Sequence, residues 1–142
     1  MIEKIFYKKK LLGIIIRANY RNKKGVNFFT PNSTPLQIGY MQHKINHSVK
    51  AHLHKKILKK INYSAEVLIL IDGKLRVDFF QKNKKYIFSK ILKKNDIILT
   101  IQGIHSFKIL KKSKILEVKQ GPFNSKESKK IEIGTIKKIK IK

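Results

Sequence analysis

The chain has 142 residues, a length typical of one domain, which at this size buries roughly two thirds of its unfolded surface. It contains no cysteine, which excludes a disulfide scaffold, a thiolate metal site and cysteine catalysis. The apolar run from Leu11 to Ile16 is too short for a signal peptide or a membrane span. We therefore expect a cytoplasmic protein without a membrane partner.

The formal net charge is +26, which commonly indicates a nucleic acid or an anionic membrane as partner. However, 31 of the 34 basic residues are lysines, and lysine, isoleucine and asparagine together fill 64 of the 142 positions. A genome rich in A+T codons produces this composition without selection for a partner. Arginine, whose planar guanidinium holds phosphate with paired hydrogen bonds, is nearly absent. We interpret the lysines as a solvated coat and expect no nucleic-acid partner.

No linker or internal repeat divides the chain, so we predict one domain over residues 1–142. It comprises N-terminal strands in residues 1–36, a barrel core over about residues 37–121, and a basic strand or tail in residues 124–142. Short apolar runs alternate with turn signals, which is typical of an all-β barrel or sandwich. No stretch has the period of an amphipathic helix, so we expect little helix. The clearest breaks lie at residues 82–85, 93–96 and 111–113.

The segment before the central strands carries four of the five histidines. His52 and His54 are two residues apart and point the same way if they lie on a strand. His43 and His47 also have a strand-compatible spacing. Together with Tyr40, these two are candidates for contacting a substrate at the mouth of a site.

Asp72-Gly73 separates the apolar runs EVLILI and KLRVDFF, and this dipeptide favours the type I′ turn of a two-residue hairpin. In that hairpin one face carries a single carboxylate among apolar residues, namely Glu66, Leu68, Leu70, Leu75, Val77 and Phe79. Arg76 and Asp78 fall on the opposite, outer face, where Arg76 is placed to hold a phosphate, although cross-strand pairing in the neighbourhood of Asp78 is the simpler account. A carboxylate on an apolar face needs a cation or hydrogen-bond donors. Glu66 is therefore a candidate site residue.

The next segment, DIILTIQGIHSF, is predicted as one strand in which His105 ends an apolar row formed by Ile97, Leu99, Ile101 and Gly103. Phe107 shares the parity of His105 and is a further candidate for contacting substrate.

Three imidazoles and one carboxylate suit a borderline divalent ion such as zinc, iron, manganese or nickel. His52, His54, Glu66 and His105 are the candidate metal ligands.

At these residues the sequence resembles the cupin family, whose members are small double-stranded β-helix barrels. The first cupin motif joins a His-x-His pair to a later Glu and a Gly, and here it corresponds to His52, His54, Glu66 and Gly73. Six residues separate the glutamate from the glycine, and eleven separate it from the second histidine.

The second cupin motif is echoed by Asn95-Asp96, Gly103 and His105. The resemblance covers about residues 37–121 and implies a double-stranded β-helix, or jelly-roll, fold. It also implies one divalent ion, held by three histidines and one glutamate, and a homodimer in which terminal strands exchange. The alternation KKIKIK at the end of the chain fits such a strand.

The stretch LEVKQGPF, Leu116 to Phe123, is similar to the ending of a subgroup of small bacterial cupins. That subgroup is associated with surface-polysaccharide and nucleotide-sugar pathways, so the resemblance implies a small sugar-like or oxygenated ligand and a role in carbohydrate metabolism.

Three functions remain open at this point. The first is a metal-binding cupin; if it is an enzyme, the resemblance implies a metal-dependent isomerase, epimerase or oxygenase. The second is a metal-free nucleotide-sugar isomerase or epimerase in which His52 and His54 move protons beside a carbonyl and Glu66 orients them. The third is a barrel without enzymatic activity that binds a sugar or, through its lysines, a nucleic acid.

Overall fold

A computed structural model describes residues 1–58 and 61–121 of the chain. Within these residues the protein is all-β and contains no helix, which confirms the predicted class. The strands are, in chain order, β1 (Ile2–Tyr7), β2 (Lys10–Ile16), β3 (Gly25–Phe28), β4 (Gly39–Gln42), β5 (Glu66–Phe80), β6 (Tyr86–Lys93), β7 (Ile97–Thr100) and β8 (Ile104–Lys119). The tail at residues 124–142, and the strand exchange predicted from it, lie outside the described residues.

Strands β5 and β8 form a long antiparallel ribbon that is the spine of the main sheet. Along the other side of β5, the first half pairs with β7 and the second half with β6. Strand β2 continues the sheet from β7, and β1 continues it from β2, so the six strands form a strongly curled half-barrel. Strands β3 and β4 form a separate two-stranded sheet. The N-terminal strands β1 and β2 are thus integral to the main sheet.

The inner face of the half-barrel holds the larger core cluster. Its β5 members are Leu68, Leu70, Leu75, Val77 and Phe79, all buried. This confirms the apolar face that the alternation of β5 predicts. Each fully buried side chain of this size contributes about 1.5–3 kcal/mol of transfer free energy.

The prediction of a hairpin at Asp72-Gly73 is wrong. Strand β5 continues through both residues, and its register with β8 shifts between Leu70 and Leu75. Gly73 has φ of +102°, but Asp72 does not adopt a positive φ, which a type I′ turn requires at both positions. The dipeptide instead forms an irregularity at which β5 exchanges its neighbour β7 for β6.

The predicted break at residues 111–113 is also wrong, because β8 runs straight through it opposite the irregularity in β5. The breaks at 82–85 and 93–96 are confirmed, since they separate β5 from β6 and β6 from β7. Lys84 and Asn95 have φ of 67° and 64° in these turns. Of the three predicted breaks, the two that are true reversals are therefore those that contain a residue with positive φ.

The single strand predicted over DIILTIQGIHSF is divided. Strand β7 ends at Thr100, and residues 101–103 turn the chain with Gly103 at φ of +96° before β8 begins. Ile97, Leu99 and Ile101 consequently pack on the outer face, in a second cluster around Ala65 and Val67. His105 belongs to β8 and does not continue that row.

Hydrogen bonds and ion pairs connect the N-terminal strands to the turn before β7. Arg17 Nη1 donates to Asp96 Oδ2 at 2.8 Å, and the Ala18 amide donates to Asp96 Oδ1 at 2.9 Å. Arg17 also pairs with Glu3 at 2.7 Å. Burial opposes the charge on Glu3, but the hydrogen bonds and charges of Arg17 and Lys90 outweigh it, so the pKa of Glu3 lies below its ordinary value.

Candidate functional site

Glu66 and His105 form a close pair at one end of the inner face. His105 Nε2 lies 2.6 Å from Glu66 Oε1, and His105 Nδ1 lies 3.1 Å from the carbonyl oxygen of Gly103. Both ring nitrogens therefore face an oxygen acceptor. A protonated imidazole donates to both oxygens, whereas a neutral ring donates to one.

The path of the chain explains how residues 39 positions apart meet. Glu66 begins β5 and is paired in register with Thr100, which ends β7. The short turn at 101–103 then carries the chain into β8, so that His105, its second residue, returns beside the start of β5. Gly103 makes this reversal possible because its positive φ is disfavoured for other residues.

Other polar groups surround the Glu66 carboxylate. The Thr100 hydroxyl donates to Glu66 Oε1 at 3.3 Å. The hydrogen bond from His105 lowers the pKa of Glu66 most strongly, burial partly offsets this, and the charge of His105 and the hydrogen bond from Thr100 lower it further. The pKa of Glu66 therefore lies below its ordinary value, and the carboxylate is the stable form.

The pair is reachable from solvent. The side chains of Glu66 and His105 retain 17% and 24% of their exposure. The ring of Phe107, which follows on the same strand, lies 5.3 Å from the His105 ring and is itself 39% exposed. The exposed face of His105 therefore lies beside an aromatic surface. The assignment of Phe107 to substrate contact stays a prediction.

The choice of a histidine as partner is unusual for this chain. Six carboxylates lie within the described residues, and the other five each form an ion pair with lysine or arginine. Glu66 alone among these six is paired with a histidine, although the chain contains 34 lysines and arginines. Histidine is the side chain that gains or loses a proton near neutral pH.

His52 and His54 lie elsewhere, in an exposed segment without strand structure. Their rings are 5.1 Å apart, so the two-residue spacing does place them side by side. His52 Nδ1 lies 2.9 Å from the carbonyl oxygen of Lys50. The structure thus brings together two of the four predicted metal ligands and leaves the other two as a separate exposed pair.

The remaining predicted site residues do not join the pair. The rings of His43 and His47 stack in parallel at 4.0 Å in the same exposed segment. Tyr40 lies on β4 and packs edge-on against Tyr20 at 5.4 Å. Their assignment to a substrate site stays a prediction.

The donor geometry allows a test of the predicted metal. Within residues 1–58 and 61–121, no three histidine or carboxylate side chains are grouped so as to hold an ion. Two ligands of one tetrahedral zinc are about 3.4 Å apart, given metal–ligand bonds of about 2.0–2.2 Å. Glu66 and His105, at 2.6 Å, are spaced for a shared proton. The pair fits an ion only with two further donors and a wider separation.

Sequence reasoning missed Thr100 and Glu117 as neighbours of the pair. Thr100 is 2% exposed at the end of an apolar strand, and its register with Glu66 is the signal that it faces the same way. Glu117 lies opposite Leu68 on β8, and its carboxyl interacts with that of Glu66. Only the pairing of β5 with β8 reveals this, because the predicted hairpin placed β5 against itself.

Comparison with known proteins adds no assignment: no family model, no curated protein and no solved structure matches the chain. In the described residues, no helix is long and apolar enough to cross a membrane.

Proposed function

We propose that this chain is a cupin-like protein that binds a small oxygenated, sugar-like ligand at the Glu66–His105 pair, and that His105 exchanges a proton with it. The observation that carries the proposal is that Glu66 pairs with a histidine and not with a lysine or arginine. The chain has 34 lysines and arginines, yet the half-buried carboxylate of Glu66, at the end of an apolar face, is bonded to the solvent-accessible imidazole of His105. An ion pair that served only stability would not need a histidine.

The two side chains have different roles in this proposal. Glu66 accepts a hydrogen bond from His105 Nε2 and so fixes the orientation of the ring. The proton is exchanged at His105 Nδ1, where the ligand takes the place of the Gly103 carbonyl oxygen. A protonated ring donates its Nδ1 proton to an oxygen of the ligand and becomes neutral, and a neutral ring takes a proton at Nδ1 from a hydroxyl or from carbon beside a carbonyl. The Thr100 hydroxyl, bonded to the same carboxylate oxygen, holds Glu66 in place. This role of the histidine is the one that the metal-free isomerase hypothesis assigns to His52 and His54.

A second candidate is the divalent-ion site implied by the cupin resemblance. It is favoured by the meeting of Glu66 and His105, because these are two of the four implied ligands and come from separate strands. With His52 and His54 they would supply three nitrogens and one oxygen. The ion would contribute Lewis-acid polarisation of a ligand oxygen.

The first experiment measures ligand binding through the imidazole signals of His105. Uniformly labelled protein is titrated with fructose and with a nucleotide-diphosphate glucose, and NMR follows the ring resonances. We expect saturable shifts at His105 that weaken at least about tenfold in Glu66→Gln. Asp72→Asn, which makes the same carboxyl-to-amide change at an exposed position of β5, is the matched control and should bind normally. Shifts absent from His105, or equal in Glu66→Gln, would contradict the proposal.

The second experiment decides between the two candidates. Protein purified without an affinity tag is analysed for metal, and the parent is compared with His52→Ala, Glu66→Ala and the control His47→Ala. A stoichiometric metal that is lost in the first two variants and kept in the control establishes the metal site. A metal-free parent whose stability is unchanged by zinc or manganese eliminates it and leaves proton exchange by His105.

A further inference from the structure

A recess borders the outer-face cluster of the sheet. It has a volume of about 320 Å³ and is formed by four separate segments around Leu11, residues 31–35, residues 62–65 and residues 101–102. Ala65 and Ile101 in its wall belong to the outer-face cluster, whereas Glu66 begins the inner row. We call this recess the outer cleft. Its size matches the smallest ligand pockets of proteins, those that hold molecules of monosaccharide dimensions.

The outer cleft is lined without any charged side chain. None of its ten lining residues is a lysine, arginine, aspartate or glutamate. In this chain 34 of 142 residues are basic, so composition alone would place about two basic residues among ten. A site for a phosphate or carboxylate would place cations at the ligand. The composition of the cleft therefore points to an uncharged ligand.

The polar groups of the cleft are hydroxyls and amides with unused hydrogen-bonding capacity. The side chains of Ser33, Thr34, Asn62 and Tyr63 make no hydrogen bond to any other part of the chain that the structure describes. Gln102 is held in place because its Nε2 donates to the carbonyl oxygen of Leu11 at 3.1 Å. Such groups both donate and accept, which suits a ligand that presents several hydroxyls.

The apolar part of the cleft suits the same ligand. The Tyr63 ring is 63% exposed, and prolines 31 and 35 line the cleft with it. An exposed aromatic ring offers a flat apolar surface with a polar hydroxyl at its edge. A sugar has the matching character, since its C–H faces are apolar and its rim carries hydroxyls. A fully apolar ligand would leave the amides and hydroxyls without partners.

We propose that the outer cleft is a second binding site, which takes a neutral sugar or polyol against Tyr63. Tyr63 supplies the stacking surface, and Ser33, Thr34 and Asn62 supply hydrogen bonds to the ligand hydroxyls. This site shares no lining residue with the Glu66–His105 pair, so we expect the two to bind their ligands separately.

The test is an NMR titration of the full chain with D-glucose, D-galactose, N-acetyl-D-glucosamine and glycerol, and with glucose 6-phosphate as a charged comparison. We expect at least one neutral compound to cause saturable shifts at the backbone amides of Thr34, Tyr63 and Gln102. Tyr63→Ala should weaken that binding at least about tenfold, and Tyr63→Phe, which keeps the ring, should weaken it less. Because Tyr63 is largely exposed, neither change threatens the fold.

Glu66→Gln separates this proposal from that for the inner face. Binding at the outer cleft should be unchanged in Glu66→Gln, and binding at His105 should be unchanged in Tyr63→Ala. The outer-cleft proposal is overturned if none of the four neutral compounds shifts these amides, if only glucose 6-phosphate does so, or if Tyr63→Ala binds as tightly as the parent.

Discussion

Strand β5 has Glu66 at its start and Asp78 near its end, and the surroundings of these two carboxylates differ. Asp78 is 2% exposed; Arg76 Nη2 donates to its Oδ2 at 2.9 Å, and the Ser89 hydroxyl donates to its Oδ1. Glu66 keeps 17% of its side-chain exposure and is bonded to a histidine. An arginine side chain keeps its proton under physiological conditions, whereas histidine is the residue type that exchanges one near neutral pH. The comparison separates a buried pair with a permanent cation from a partly exposed pair with a histidine.

The location of the Arg76–Asp78 pair corrects one prediction. Arg76 pairs with Asp78 of its own strand on the face opposite the apolar row, and that part of the outer face is buried, so Arg76 is not exposed to hold a phosphate. Arg76 Nε also lies 2.7 Å from Asp78 Oδ1, without the alignment of a hydrogen bond. A buried charge of this kind depends on its partner for compensation.

The largest expected effect comes from breaking the buried pair. Asp78→Ala leaves the Arg76 charge buried without a partner, so we expect the free energy of unfolding to fall by about 3–5 kcal/mol. Chemical denaturation of the parent and the variant measures this loss. Replacing both residues, as Arg76→Met with Asp78→Leu, should restore most of it. A loss below about 1 kcal/mol in Asp78→Ala would show that the pair does not maintain the fold.

The next effect concerns the irregularity between the two carboxylates. In Gly73→Ala the new Cβ collides with Ser113 and with the backbone of Lys112, and the residue must keep a φ of +102°. We expect a loss of about 1–3 kcal/mol. Gly25→Ala is a matched control, because Gly25 has a similar φ of 94° with open space around it. Equal losses in the two variants would indicate that φ alone, rather than contact with β8, makes Gly73 necessary.

The smallest effect on stability is expected at the accessible pair. Glu66→Gln keeps a hydrogen-bond acceptor for His105 and should lower the free energy of unfolding near neutral pH by only about 1 kcal/mol. The folded-state pKa of Glu66 lies below its unfolded value, so its carboxylate stabilises the fold above the unfolded pKa. That contribution is lost as the pH falls through the folded-state pKa.

The variant should therefore show a weaker loss of stability on acidification than the parent. The free energy of unfolding of both proteins, measured from neutral to acidic pH, gives this difference directly. The contribution of Glu3 to the pH dependence is the same in both proteins and cancels in the difference. A parent and variant whose stabilities fall in parallel would show that the ionisation of Glu66 is not linked to folding.

The inner face of β5 could be predicted from sequence, although the continuous path of the strand through Asp72-Gly73 could not. A two-residue hairpin and a strand with one extra residue both place Leu70 and Leu75 on the same face, so the alternation cannot distinguish them. The glycine at position 73 fits both as well. What decides is the neighbour of β5: pairing with β8 over its whole length makes a continuous strand possible.

The site was predictable for the same reason only in part. Glu66 follows from an argument about one strand, because it is the carboxylate on an apolar face. His105 was predicted as the end of the apolar row that contains Ile101. That row packs on the outer face, and His105 does not belong to it. The outer cleft had no comparable signal in the sequence, because its lining comes from four segments that are distant along the chain.

The central claim is that Glu66 and His105 act as one unit, and the pKa of the Glu66 carboxyl tests it most directly. NMR of the side-chain carboxyl carbon, followed against pH, gives this value in the parent and in His105→Ala. The account predicts a pKa below the ordinary glutamate value in the parent and a higher one in His105→Ala, where burial still opposes the charge but the strongest hydrogen bond is gone. A parent value at or above the ordinary one, or no rise in His105→Ala, would contradict it.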